Sequence, residues 1–380
     1  MSARVTVVGA GVIALLTAVE CVLDGHRVTV VDQGPIPHSR ATSFDQHRIL
    51  RALHPADPRT TRAALRAHRR WIELEELFLT RFYEQVGSLT VLPPAAAAEG
   101  TALLTAAGGR ATELTAAGLA DRYPHLRVDG GLGAVLETEA GVLLAERVLA
   151  ACVGWLKWQR GTELIEHRAV TAVDAESGTV RLVDGQVLHG DAVLMAVGPW
   201  SRDLLPASMS DRLTLYRQSL LYCRVPRQQA AAWAATPAVP ALGTSGGAWL
   251  IPPVAGTALK LTSATACRVV DGITDYATAP YWQRKLEKEF GDVLPGFGPA
   301  WVTDAKDAYY SAFAPTGGPL VVALGGAGYA YAACGGTSFK FAPLIARSLA
   351  DRLGGRSPEP IGVGALDGPL DVRAPQLAGL

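Results

Sequence analysis

Two glycines and an acid mark the first place in this chain where residue type and spacing could do chemistry. Gly9-Ala10-Gly11 ends a short apolar run, Val5 to Val8, and Asp32 ends a second run, Val28 to Val31. Between them Leu15, Val19 and Val22 recur at helical spacing until Gly25, so the reading is strand, glycine turn, helix, strand. Gly9 permits a tight turn, Gly11 lets a pyrophosphate approach the backbone, and Ala14 stands where a small residue allows the helix to pack on the strand. The helix N-terminus offers free N–H groups and the positive end of its dipole to the phosphates, and Asp32 accepts from a ribose hydroxyl. This is dinucleotide-binding chemistry, and on the fingerprint alone NAD and FAD both stay open.

Four basic residues farther along could meet an anion. Arg48 and Arg51 follow the nucleotide unit, Lys260 lies between Leu259 and Leu261, and Lys340 lies between Phe339 and Phe341. A lysine bracketed by apolar residues fits a solvated face poorly, whereas Arg69-Arg70 fits one well. A guanidinium grips a carboxylate through two parallel hydrogen bonds and a lysine adds a compact charge beside it. Gly335 and Gly336, ahead of a helix from Ala342, would aim N–H groups at a negative edge, with Thr337 and Ser338 as further donors.

The elements that must position these residues can be read in order. Residues 59–86 carry Leu65, Trp71, Ile72, Leu74, Leu77, Phe78 and Phe82 near one face, which predicts a single long amphipathic helix. From 88 to about 140, short apolar runs alternate with AAAAEG and AAGG, read as surface connections. A helix is expected over 142–159, then strands at 163–166, 179–182 and 192–197, the last ending in Gly198-Pro199-Trp200. Residues 212–225 and 248–262 read as strands of a second, more antiparallel sheet, joined by an Ala- and Pro-rich excursion. A short helix at 280–290, a hairpin of 319–324 with 329–334, and a C-terminal helix follow; the tail after Gly354 is expected to wrap the surface.

With 380 residues, two domains are expected. Lys+Arg and Asp+Glu both number 35, which leaves no net charge to hold nucleic acid or an anionic membrane surface. No apolar run reaches the length of a membrane span. Five cysteines at 21, 152, 223, 267 and 334, without CxxC spacing, argue against a disulfide framework and a zinc site, and point to the cytoplasm.

The nucleotide unit, the segment from Ser43 to Arg51 (SFDQHRILR), AVGPWS at Ala196 to Ser201 and GGTSFKF at Gly335 to Phe341 occur in that order. As a set they resemble the FAD-dependent amine oxidoreductases of the D-amino-acid oxidase superfamily, in particular monomeric sarcosine oxidase. The resemblance spans nearly the whole chain. It implies an α/β fold: a Rossmann-like FAD-binding domain assembled from segments 1–86, 141–211 and 316–380, plus an α+β substrate domain with a mainly antiparallel sheet from 87–140 and 212–315. It implies FAD as cofactor, an amine or amino-acid substrate and O2 as the usual electron acceptor; the oligomeric state stays open, with a monomer favoured.

Residue by residue, the resemblance implies that Gly9, Gly11, Val12, Ile13 and Ser43 hold the phosphates, and that Asp32 and Gln33 meet the ribose end. Val170, Gly198 and Trp200 fall beside the nucleotide half of FAD. Gly335, Gly336, Thr337, Ser338 and Lys340 fall along the flavin ring. Arg48 matches the arginine near the flavin, Arg51 the arginine that binds substrate carboxylate, Lys340 the lysine paired with it, and Lys260 the lysine that activates oxygen. Tyr310 matches the active-site tyrosine, and Trp249 stands near the other.

Departures matter too. The position of the family's covalent cysteine falls on Ala308 and that of its histidine on Ala264, while Cys334 lies in another element, so the flavin is expected to be non-covalent and sarcosine a poor substrate. Trp249, Tyr310 and Tyr222 could wall a pocket for a larger or cyclic amine. A dehydrogenase or tailoring desaturase with another acceptor, and a flavoprotein without turnover, remain alternatives.

Overall fold

The computed structural model describes residues 2–243 and 247–371. Strand Arg4–Val8 is buried from Val5 onward on both faces, as a continuous apolar run in a covered parallel sheet should be. It pairs in parallel with Arg27–Val31 on one side and with Ala192–Met195 on the other. Helix Val12–Leu23 joins the first two strands and is apolar nearly all round. It is covered by the C-terminal helix Ala342–Leu353 and by helix Ala145–Lys157. Its one buried acid, Glu20, is compensated by Arg70 and Arg347.

The resulting sheet has seven strands, in the order Leu370–Asp371, Pro319–Gly325, Gly328–Cys334, Ala192–Met195, Arg4–Val8, Arg27–Val31, Thr162–Ile165. Its members come from the beginning, middle and end of the chain, so the Rossmann-like unit is assembled from discontinuous segments. All neighbours pair in parallel except the hairpin of Pro319–Gly325 with Gly328–Cys334.

A second, antiparallel sheet stands over the first. Its spine is Leu213–Cys223, paired along its length with Val302–Phe313 and partly with Leu259–Ser263 and Cys267–Val269. Ala248–Ile251 and Val239–Leu242 extend it outward, and helix Pro280–Val293 packs behind it. The fold is therefore α/β, with a Rossmann-like part and a mainly antiparallel part.

Four local expectations are corrected. The long helix runs from Pro58 to Phe78, not to 86; Asp57 caps its start by accepting from Thr60 N at 3.0 Å, and Leu79 ends it in the left-handed region at φ 50°. Glu75 then accepts from the amides of Phe82 and Tyr83 at 2.6 and 2.7 Å, turning the chain into strand Tyr83–Glu84. AAAAEG is no surface connection but lies inside helix Pro94–Ala106, consistent with alanine's helix propensity. The helix expected over 142–159 is Ala145–Lys157, preceded by strand Gly141–Leu143. The tail does not merely wrap the surface: Ile361 and Leu366 are buried and Leu370–Asp371 joins the sheet edge, while residues 372–380 lie outside the described range. Among the described residues no helix is long and apolar enough to cross a membrane.

Trp71 ties this architecture to the residues of interest. It is fully buried on helix Pro58–Phe78, stacks on Phe339 at 5.8 Å, meets Phe82 edge-on and donates its indole N–H to the carbonyl of Lys340 at 2.9 Å. Trp71→Ala is expected to destabilise the protein by about 3–5 kcal/mol, and Trp71→Phe by less, in urea unfolding; equal losses would show that the aromatic packing on Phe339 and Phe82 contributes nothing beyond the indole's bond to Lys340.

Candidate active site

One cavity of about 630 Å³ runs from the glycine turn to the antiparallel sheet. At its nucleotide end Gly9 has φ +99°, and a Cβ there would lie 2.5 Å from the carbonyl oxygen of Ala196, so only glycine lets the first strand end against its neighbour. Gly11 caps helix Val12–Leu23 without a side chain, and a Cβ on it would meet only Ser43 Oγ at 3.5 Å. The first turn of the helix therefore opens into the cavity, bordered by Val12 and Ile13. Ser43 accepts from Val12 N at 3.2 Å.

Asp32 braces the turn, accepting from Ala10 N at 2.8 Å and Gly34 N at 2.9 Å, with His38 Nδ1 at 3.1 Å. His38, which sequence reasoning missed, also stacks on Trp200 at 6.2 Å. Gln33, Val170, Gly198 and Trp200 line the same end. A backbone cradle at a helix N-terminus, kept open by two glycines and flanked by a carboxylate, fits the pyrophosphate and ribose of a dinucleotide.

Midway along the cavity a carboxylate is buried among cations. Asp45 Oδ2 meets both the Arg48 guanidinium and the Lys260 ammonium. Its Oδ1 accepts from the Tyr222 hydroxyl and from Gln46 N, each at 2.7 Å. Burial opposes its charge, but Arg48 and then Lys260 hold it well below the usual carboxylate range. Burial pulls Lys260 down to about 8, helped by Arg48 and opposed by Asp45. Arg48 also donates to the carbonyl of Thr42 at 2.6 Å and lies 5.7 Å over the Phe339 ring. Tyr222 is spent on this contact and does not line the cavity, which corrects its expected place in a substrate wall.

A second basic pair, Arg51 and Lys340, lines the cavity nearby. Lys340 Nζ lies 2.7 Å from His54 Nε2, and Arg51 donates to the carbonyl of Leu53. Burial, then the Arg51 charge, pushes the Lys340 ammonium well below its ordinary range, and burial, then Lys340, pushes His54 down to about 2. The pair is not without an acid: Glu137 is buried beside it, accepting from the amides of Ala52 and Leu53 at 2.7 and 3.0 Å. Both carboxylate oxygens serve the backbone, so neither cation has a side-chain carboxylate hydrogen-bonded to it among the described residues.

Opposite stand Gln218, Pro240, Trp249, Ile251, Ala308 and Tyr310. Tyr310 stacks on its cross-strand partner Tyr216 at 5.2 Å, with its hydroxyl 3.4 Å from Cys267 Sγ. Gly335 and Gly336 adopt φ of 58° and 73°, and Gly336 passes so close to the Tyr310 ring that a Cβ would lie 3.3 Å away. Two expectations change here. A 3-10 turn, Ser338–Phe341, intervenes before the helix, and the Ser338 hydroxyl is spent on the carbonyl of Cys334 at 2.6 Å, leaving Thr337 as the free hydroxyl of the pair. Cys334 lies in a different element from Ala308, as expected, yet it too lines the cavity, where burial raises its thiol pKa. Ala264 is exposed and does not line it.

Sequence reasoning missed His54, Glu137, Gln218 and the part played by Asp45. Glu137 left a trace, an acid inside the apolar strand Gly133–Glu137, all of it buried; His54 left only its nearness to Arg51.

A discontinuous parallel sheet with an open helix N-terminus, and a cavity leading from it to a second sheet, defines the class of dinucleotide-dependent enzymes. Residues 4–352 match the family described as FAD dependent oxidoreductase, and the chain belongs to that family. It is 25% identical over 219 residues to monomeric sarcosine oxidase of Bacillus sp. (strain B-0618), covering 56% of each chain. It is 25% identical over 211 residues to N-methyl-L-tryptophan oxidase of Escherichia coli (strain SE11), covering 53% of this chain and 55% of the other. The matches thus span a little over half the length of these relatives. In structure it is similar to fructosyl amine:oxygen oxidoreductase (Amadoriase I) of Aspergillus fumigatus, with a TM-score of 0.77 at 17% identity over 99% of this chain and 90% of the other. It is also similar to NikD, an amino acid oxidase of nikkomycin biosynthesis, with a TM-score of 0.79 at 18% identity over 98% of both chains.

Glu137 holds the backbone that follows Arg51. Glu137→Gln, which keeps one acceptor but turns an NH2 group toward an amide N–H, is expected to lower unfolding free energy by about 1–3 kcal/mol in urea titration. An unchanged midpoint would mean that the two amides find another acceptor.

Proposed function

We propose that this protein oxidises the C–N bond of a carboxylate-bearing amine: an amino acid, or an N-substituted or cyclic amino acid. The observation that carries this reading is the pair of half-buried Arg51 and buried Lys340 on the wall of the cavity that begins at the dinucleotide turn. Two cations without a hydrogen-bonded side-chain carboxylate are an anion receptor, and a substrate carboxylate would restore the charged form of Lys340 that burial disfavours.

Gly9, Gly11, Val12, Ile13, Ser43, Asp32 and Gln33 would hold the ADP half of FAD, with Val170, Gly198 and Trp200 beside it. Gly335, Gly336, Thr337, Ser338, Arg48 and Lys340 would surround the ring. When bound, FAD supplies the hydride acceptor. The chain's own residues orient the amine. Arg51 and Lys340 hold its carboxylate, Trp249 and Tyr310 wall its side chain, and Lys260 is the cation on which reduction of O2 to peroxide would draw. The aromatic wall suits a larger or cyclic amine better than sarcosine. Sarcosine, N-methyl-L-tryptophan and fructosyl amines, named for the relatives, are all amines, which agrees with this class.

Ala308 offers no thiol, and burial keeps Cys334 protonated at ordinary pH. Acid precipitation is therefore expected to release all FAD into the supernatant. Flavin remaining in the pellet of wild type, but not of Cys334→Ala, would identify a covalent bond at Cys334.

Arg51→Met is expected to lower kcat/KM for an amino-acid substrate by about 10- to 150-fold, the cost of one hydrogen bond to a charged group, mostly through KM. The variant should also discriminate less between the acid and its decarboxylated amine. Wild type oxidising the plain amine as well as the acid would rule out the carboxylate anchor.

A further inference from the structure

Lys260 would act on O2 through free positive charge, yet its charge is not free. Its ammonium and the Arg48 guanidinium meet the same oxygen of Asp45, while Tyr222 and the Gln46 amide occupy the other. Asp45, Lys260 and Tyr222 are all buried, so water screens these charges little. The other groups facing this cluster are Lys306, whose Nζ lies 5.1 Å over the Tyr222 ring, Asp304, the cross-strand partner of Tyr222, and His47, buried and held neutral. Among the described residues Asp45 is the one carboxylate ion-paired with Lys260. Arg48 and Lys260 alone would present two positive charges to the cavity; with Asp45 they present one.

We infer that Asp45 sets the electron acceptor: by pairing with Lys260 it withholds the cation that O2 needs and favours a quinone-class acceptor. This rests on the role given to Lys260 above. Either acceptor takes two electrons and two protons from the reduced enzyme; O2 becomes hydrogen peroxide and a quinone becomes its hydroquinone. Reduction of O2 begins with one electron and creates a small anion that requires a neighbouring cation. A quinone accepts its first electron more readily and spreads the charge over a ring, so it depends less on Lys260. Asp45 acts through Lys260 and is a positioning residue.

The test uses holoenzyme reduced anaerobically with dithionite, then mixed with O2 or with a soluble benzoquinone. Asp45→Asn is expected to raise the rate constant with O2 about tenfold, the size of a charge interaction at intermediate dielectric, and to raise that with quinone far less. Sulfite, an anion that binds at the flavin, should bind the same variant more tightly at equilibrium, a readout independent of turnover. The gain with O2 should vanish when Lys260→Met is added; that double variant removes one charge of each sign, and Asp45→Ser serves where Asn does not fold. An O2 rate and sulfite affinity like those of wild type, or a gain that survives in the Lys260→Met background, overturns the proposal. Because dithionite supplies the electrons, failure of every amino acid to reduce the enzyme would count against the amine reading alone.

Discussion

A carboxylate buried where the two sheets meet is the constraint on which the rest of the site depends. Asp45 would be very costly to bury alone. It is held by Arg48 from its own segment, by Lys260 from strand Leu259–Ser263 and by Tyr222 from strand Leu213–Cys223. The same contacts that make the charge tolerable fasten the cofactor-side loop to the antiparallel sheet. Breaking one partner would leave the others uncompensated, so the group acts as a unit. The walls of the cavity on that side follow from this junction.

The pattern repeats around Arg51 and Lys340. Lys340 is buried and Arg51 half-buried, and the acid beside them, Glu137, is occupied by backbone amides. The protein thus spends its buried acids unequally: Asp45 neutralises a cation directly, whereas Glu137 shapes the backbone and leaves two cations facing the cavity. That difference is what supports reading the second pair as an anion receptor, as proposed. Trp71 links the second pair to the long helix through the Lys340 carbonyl.

What could be read from the sequence was local. The glycine turn, the helix after it and Asp32 were legible because glycine conformation and residue spacing act within a few positions. Lys260 and Lys340 stood out because each has apolar neighbours on both sides, which marks a covered segment: Lys260 lies in a strand buried on both faces and Lys340 in a mostly buried 3-10 turn. The end of the long helix was not: Leu79 takes a left-handed conformation with no glycine to announce it, and the acid that reverses the chain, Glu75, lies within the helix itself. The pairing of Asp45 with Lys260 joins residues 215 positions apart, and no local pattern carries it. That Cys334 also reaches the cavity wall was not legible for the same reason, since its place depends on how the hairpin docks under the antiparallel sheet.

The central claim is that a dinucleotide turn and a carboxylate receptor share one cavity so that a bound amino acid delivers its electrons to FAD. The most direct measurement is anaerobic mixing of the purified, FAD-loaded protein with a panel of secondary and cyclic amino acids, following flavin absorbance. Bleaching of the flavin by at least one carboxylate-bearing amine, with the matching decarboxylated amine much slower, is the expected result. A flavin that stays oxidised with every acid, or that bleaches equally fast with the plain amines, would contradict it.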